Sequence, residues 1–138
     1  MNFFKKQNRI NLSNFIYVKK DALPKSFCSN VIEKFEKDDR KHQGVVAHGV
    51  SLNMKRSLDL HISKLNDWET FDQGFYRSLN SELNNYHDFI PDIFNLSNIR
   101  LVGDDTGYQI QRTQPGDFYN WHHDFVGTRI LTFIWYLN

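Results

Sequence analysis

A histidine and an aspartate two residues apart, His122 and Asp124, are the residues of this chain best suited to metal chemistry. If the segment 119–124 is extended, residues two apart project from the same face. An imidazole nitrogen and a carboxylate oxygen then supply two of the three ligands of the 2-His-1-carboxylate triad, which holds non-haem Fe(II). No histidine follows His123 in the 138 residues, so the sequence offers two ligands and no obvious third.

The pair gains weight from its surroundings rather than from its spacing. By itself it is weak, because six histidines in 138 residues give about half a His-x-Asp match by chance. A hydrogen-bonded histidine at a polar strand end is the simpler alternative. However, residues 108–114 are typical of a strand and Pro115-Gly116 of a turn. Residues 129–137 form an apolar run, which predicts a strand buried on both faces. Such a succession of strands can hold a metal site inside a β-sandwich.

Two stretches of the chain carry a recognisable pattern. The C-terminal stretch reads Gly116-x-x-Tyr119-x-x-His122-x-Asp124, then Arg129-x-Leu131-Thr132 and Tyr136-Leu137-Asn138. Near the N-terminus an extended segment passes through Asp21-Ala22-Leu23-Pro24 into a helix that contains Cys28, Val31 and Ile32. Together they resemble the prolyl 4-hydroxylase-like Fe(II)/2-oxoglutarate-dependent dioxygenases, strongly over residues 108–138 and weakly over most of the rest.

The resemblance implies roles for six residues. His122 and Asp124 match the first two iron ligands, and no catalytic group is expected beyond the metal ligands. Four residues match positions of the substrate or co-substrate pocket: Tyr119, Thr113, Arg129 and Thr132. Thr113 departs from the family, which often has a tyrosine there that contacts 2-oxoglutarate. The implied cofactors are Fe(II) and 2-oxoglutarate, with ascorbate as an additional candidate.

The resemblance also implies a fold of the α+β class, with N-terminal helices packed on a double-stranded β-helix, or jelly-roll, core. Residues 1–98 would form an N-terminal strand and helical support region, and residues 99–138 the start of the core. In the family the distal histidine and the 2-oxoglutarate-binding Arg or Lys lie further downstream. We therefore expect one incomplete domain whose C-terminal strands are missing, and a piece that is inactive alone.

The substrate and the class of function both keep alternatives at this point. The resemblance predicts an enzyme with a small-molecule co-substrate, and peptidyl proline, an amino acid and another small molecule all remain open as the hydroxylated substrate. The rival hypothesis is a non-catalytic β-sandwich binding module or an inactive remnant. A zinc hydrolase is disfavoured, because the chain has no His-Glu-x-x-His motif and no cysteine pair.

Composition excludes several classes of partner. Lys and Arg number 17 against 16 Asp and Glu, so no bulk field favours nucleic acid or a membrane surface. A hydrophobic content of 40% and an aromatic content of 15% predict one domain with a packed core. A single cysteine, Cys28, fits a reducing compartment, and with no apolar stretch of membrane-spanning length we expect a cytoplasmic protein.

Periodicity predicts the helices more clearly than the strands. One helix is expected from Ser26, as N-cap, to about Lys37. A second is marked by an apolar residue about every four positions: Phe71, Phe75, Leu79, Leu83 and Tyr86. Strands are expected over residues 15–19, once or twice within residues 43–63, and from residues 99–102 onward.

Overall fold

The computed structural model describes residues 12–90, 105–124, 129 and 131–138. These residues form two α-helices and short antiparallel strands, which confirms a mixed α+β architecture at that level. The predicted strand at residues 99–102 lies outside the described residues. The elements in chain order are α1 (Lys25–Lys37), β1 (His42–Gln43), β2 (Val45–Val46), β3 (Gly49–Val50), β4 (Leu58–His61), α2 (Glu69–Phe89) and β5 (Gln109–Arg112).

Both predicted helices are confirmed. Helix α1 begins at Lys25, and its N-cap is Pro24, two residues before the expected Ser26. Proline suits this place, since its fixed φ and missing N–H cost a helix little at its start. Helix α2 carries Glu69 and Asp72 in its first turn, where carboxylates interact favourably with the helix dipole.

The described strands form a three-stranded antiparallel sheet of order β1-β4-β5 and a separate β2–β3 hairpin. Leu60 of β4 lies opposite Ile110 of β5, and both side chains are buried. In the hairpin, Gly49 has a φ of +101°, a backbone conformation that glycine adopts without strain. The region predicted to hold one or two strands therefore holds four short ones. No jelly roll is assembled from the described strands.

The core lies between the helices and the β4–β5 pair. The buried side chains come from α1, β4, α2 and β5, and from residues close to them: Val31, Phe35, Leu60, Ile62, Trp68, Phe75, Tyr108 and Ile110. Strand β4 lies in the predicted support region, residues 1–98, and β5 lies in the predicted start of the core, residues 99–138. The two strands nevertheless pair in one sheet.

Two predicted strands are wrong. Residues Leu12–Phe15 form a 3₁₀ turn, and the following stretch runs without strand pairing because it lies along α2, where the Tyr17 hydroxyl donates to Glu82 at 2.7 Å. The described residues of 129–138 are also not paired as a strand. Only one face of that stretch packs inward: Ile134 and Tyr136, on the other face, are 68% and 85% exposed.

No helix in the described ranges combines the length and the apolar character needed to cross a membrane.

Candidate metal centre

The candidate ligands follow a short stretch, 118–120, that pairs with residues 54–56. Lys55 and Tyr119 form an isolated antiparallel bridge. Backbone N–H groups on either side of that bridge donate across it, at N···O distances of 2.7 and 2.9 Å. The pairing stops at residue 120, and a bend follows at Trp121. The candidate ligands therefore lie just after an anchored stretch and not in the regular strand that the sequence predicted.

A hydrogen bond fixes the proton of the His122 ring. Its Nδ1 lies 2.8 Å from the backbone carbonyl oxygen of Asn120. A carbonyl can only accept, so Nδ1–H is the donor and the neutral ring keeps its lone pair on Nε2. That Nε2 lies 3.4 Å from Oδ1 of Asp124. The two candidate ligand atoms therefore face each other, although the segment is not the regular strand from which the sequence predicted a common face.

Asp124 presents its two carboxylate oxygens to different partners. Oδ1 faces His122, while Oδ2 accepts a long hydrogen bond of 3.4 Å from the Thr132 hydroxyl. The side chains of His122 and Asp124 are 34% and 43% exposed. The two candidate ligand atoms, His122 Nε2 and Asp124 Oδ1, thus belong to side chains that are partly open to solvent and accessible to an ion.

An aromatic ring supports the imidazole. The Tyr119 ring stacks on the His122 ring with centroids 3.6 Å apart and planes 16° from parallel. The Lys55 ammonium lies 5.1 Å from the centroid of the same tyrosine ring. A cation at that distance over an aromatic face is attracted by the ring quadrupole.

The donor set fits two positions of an Fe(II) site. A neutral imidazole nitrogen and a carboxylate are the ligand types of the facial triad. Metal-bound histidines usually donate their second ring N–H to a carbonyl or carboxylate, as His122 does to Asn120. Within the described part of the chain, no group of three or more His, Cys, Asp or Glu side chains could hold a metal ion. The described residues therefore contain two candidate ligands and no third.

The structure brings four of the six predicted site residues together. Tyr119 and Thr132 contact the His122–Asp124 pair, as described above. Thr113 lies exposed directly after β5, and Arg129 is also exposed. Among the described residues, neither of these two has a hydrogen bond or ion pair to His122 or Asp124. Their assignment to the co-substrate pocket stays a prediction.

Sequence reasoning missed a buried polar network beside this site. The Asp59 carboxylate is fully buried and accepts from Lys55 Nζ at 2.7 Å, from Ser57 Oγ at 2.8 Å and from Gln109 Nε2 at 2.6 Å. The available signal was the alternation of Lys55, Ser57 and Asp59, which share one face of an extended chain. Polar alternation normally indicates a solvated face, whereas here the face is covered.

Comparison with protein-family models, with curated proteins and with solved structures found no match to this chain. A proposal about its function therefore depends on the site geometry and on the sequence pattern that surrounds it.

Proposed function

We propose that the protein is an Fe(II)- and 2-oxoglutarate-dependent dioxygenase of the prolyl 4-hydroxylase-like kind, in which His122 and Asp124 are iron ligands. One observation carries this proposal: Nε2 of His122 faces Oδ1 of Asp124 at 3.4 Å while its Nδ1 proton is committed to Asn120. Two acceptor atoms repel each other at this distance unless a cation lies between them. A bound metal ion meets that need, and a proton on Nε2 is the competing solution.

The chain's own residues would hold and shape such a site. With Fe(II) and 2-oxoglutarate bound, the site would use O2 to convert 2-oxoglutarate into succinate and CO2 while a substrate C–H bond becomes C–OH. His122 and Asp124 would fix the metal, and Tyr119 would line the adjacent pocket. Thr113, Arg129 and Thr132 would complete the co-substrate side. Peptidyl proline, an amino acid and another small molecule remain the candidate substrates.

The proposal includes a finer fold and a location. The β1-β4-β5 sheet would belong to a double-stranded β-helix that carries the iron site, with the helices packed on one face. Ferrous iron persists in reducing surroundings, which fits the cytoplasmic location inferred from the single cysteine. Ascorbate would be an additional reductant.

A non-catalytic binding module is the alternative, and one observation favours it. A cavity of about 850 Å³ lies between the stretch that follows the first 3₁₀ turn, helix α2 and residues 131–138. Most of its lining is apolar, including Leu23, Leu79 and Trp135. Cavities of this size and character commonly bind small molecules.

The discriminating experiment is an anaerobic titration of Fe(II) and 2-oxoglutarate into the protein expressed from its complete reading frame. We expect the weak visible charge-transfer band of an iron–2-oxoglutarate complex. His122→Ala and Asp124→Ala should each abolish it, because each removes a ligand. His123→Ala is the matched control, since this neighbouring exposed histidine is outside the pair, and it should keep the band. A folded protein that shows no band is not a dioxygenase, and the binding module then becomes the better hypothesis.

A further inference from the structure

We infer that the buried Lys55–Asp59 ion pair and the Tyr119 ring form a positioning unit for His122. Lys55 and Asp59 would not touch the metal or the substrate, and Tyr119 would act on His122 in addition to lining the pocket. The unit would hold the imidazole in the orientation that directs Nε2 at Asp124. The contribution of this unit to metal affinity rests on the proposed function. Its effect on the orientation of the His122 ring does not.

The Lys55 side chain is buried, with only 5% of its surface exposed. Its ammonium is bonded to Asp59, and that carboxylate is itself held by Ser57 and Gln109. These additional hydrogen bonds to the carboxylate help to offset the cost of burying the two charges. Gly44 closes the space above the pair, because a Cβ there would lie 2.8 Å from Lys55 Cε. The ammonium is therefore confined to one position.

The buried Lys55 contacts Tyr119 in two ways. The two residues are paired through their backbones, and the confined ammonium lies 5.1 Å from the ring centroid. Tyr119 is exposed, so packing alone does not hold its ring. The cation–π contact and the backbone bridge together restrict the ring to one side of the paired stretch.

Tyr119 in turn contacts the His122 ring. Their rings are stacked nearly parallel with centroids 3.6 Å apart, which fixes the plane of the imidazole. The hydrogen bond from Nδ1 to Asn120 fixes its rotation and its tautomer. Two independent contacts therefore orient Nε2, and one of them depends on the buried ion pair.

A neighbouring cation–π pair in the same paired stretch provides a control. It distinguishes an effect on the orientation of His122 from a general effect on stability. The Arg56 guanidinium lies 5.3 Å from the Phe118 ring centroid, a second cation–π contact. Among the described residues, no hydrogen bond, ion pair or ring contact joins Arg56 or Phe118 to His122. If the contacts served only to join the two stretches, removing either cation would have the same effect. The positioning role predicts that only changes at Lys55 and Tyr119 affect His122.

The test compares four variants of the full chain: Tyr119→Leu, Tyr119→Phe, the double variant Lys55→Met with Asp59→Leu, and the control Arg56→Met. Replacing both members of the buried pair avoids an unpaired charge, and such replacements are commonly tolerated. The first readout is the affinity for Fe(II) alone, measured anaerobically. We expect Tyr119→Leu and the double variant to bind about tenfold more weakly, as for other groups that orient a metal ligand. Tyr119→Phe keeps the aromatic ring, so its Fe(II) affinity should stay close to that of the wild type. The Fe(II) affinity of Arg56→Met should also equal that of the wild type.

The second readout needs no metal. In NMR spectra of the metal-free protein with labelled histidines, the stacked tyrosine should move the His122 ring protons upfield. That displacement should be present in the wild type, Tyr119→Phe and Arg56→Met. It should be lost in Tyr119→Leu and reduced in the double variant.

Unchanged His122 ring shifts in Tyr119→Leu would overturn the inference, as would wild-type Fe(II) affinity in both Tyr119→Leu and the double variant. If the wild type binds no Fe(II), the proposed dioxygenase function fails, and the ring shifts still decide the positioning role.

Discussion

At the residue scale, Asp38 shows how one buried carboxylate connects two elements. It accepts from the Arg40 guanidinium at 2.6 Å and from the Trp68 indole N–H at 2.8 Å. Arg40 also bonds Asp67, so the end of α1 is tied to the turn that precedes α2. The guanidinium of Arg40, together with the Trp68 hydrogen bond, holds the pKa of Asp38 well below its usual range. Arg40 and Lys34 lower the pKa of Asp67 to about 2.

These pKa values predict an acid-sensitive contribution to stability. Because the folded-state pKa lies below the unfolded value of 3.8, the contribution is complete above that value and is lost as the pH falls through the folded pKa. The free energy of unfolding should therefore fall as the pH drops below about 4. Asp38→Asn should flatten this dependence and cost about 1 kcal/mol at pH 7, since a charged hydrogen bond becomes a neutral one. Urea unfolding at several pH values measures both effects.

The control for this prediction is Asp39→Asn, which changes the exposed neighbouring carboxylate. It should leave the slope of stability against pH close to that of the wild type. Equal slopes for Asp38→Asn and the wild type would show that Asp38 does not make this contribution.

At the element scale, the two helices meet where Gly74 of α2 faces Phe27 of α1. Glycine inside a helix costs about 1 kcal/mol relative to alanine, so its presence needs a packing reason. The reason is the Phe27 ring, which a Cβ at Gly74 would overlap. That ring also makes edge contacts with Phe71 and Phe75, at centroid distances of 5.5 and 5.3 Å. A small residue therefore sets the approach of the helices.

Gly74→Ala should destabilise the protein although it improves helix propensity. Overpacking typically costs about 1–3 kcal/mol, which exceeds the gain, so we expect a net loss of about 1 kcal/mol. A double-mutant cycle with Phe27→Leu, followed by urea unfolding, measures the coupling. The alanine should be less harmful, or stabilising, when the ring is absent. A cycle without coupling energy would place the two helices further apart than described.

Secondary-structure elements could be predicted from the sequence where the residue pattern is compatible with only one kind of structure. The apolar spacing of α2 and the strand and Pro-Gly turn around β5 are such cases. The predicted strand at residues 15–19 was wrong because the residue pattern shows only that one face is packed. It does not tell whether that face packs in a sheet or against a helix. At the site, the His-x-Asp spacing predicted a common face, although the segment that carries the pair is not a regular strand. Lys55 could not be found this way, since its contact with Tyr119 joins residues distant in sequence.

At the scale of the whole molecule, residues 131–138 connect the core to the candidate site. The Trp135 ring lies 5.1 Å from that of Phe75 and 5.8 Å from that of Tyr108, and its indole N–H donates to Ser78 at 3.1 Å. The same stretch carries Thr132, whose hydroxyl contacts Asp124. Packing of one tryptophan on α2 therefore helps to place a side chain beside the candidate iron ligands.

This connection predicts unequal effects within one stretch. Trp135→Ala should lower the free energy of unfolding by about 2 kcal/mol, less than for a fully buried tryptophan because Trp135 is half-buried. Tyr136→Ala is the matched control, since its side chain is 85% exposed, and it should change stability by less than about 0.5 kcal/mol. Urea unfolding of both variants measures the difference. Equal stability of the two would mean that this stretch does not pack on the core, and the link from α2 through Thr132 to Asp124 would then be lost.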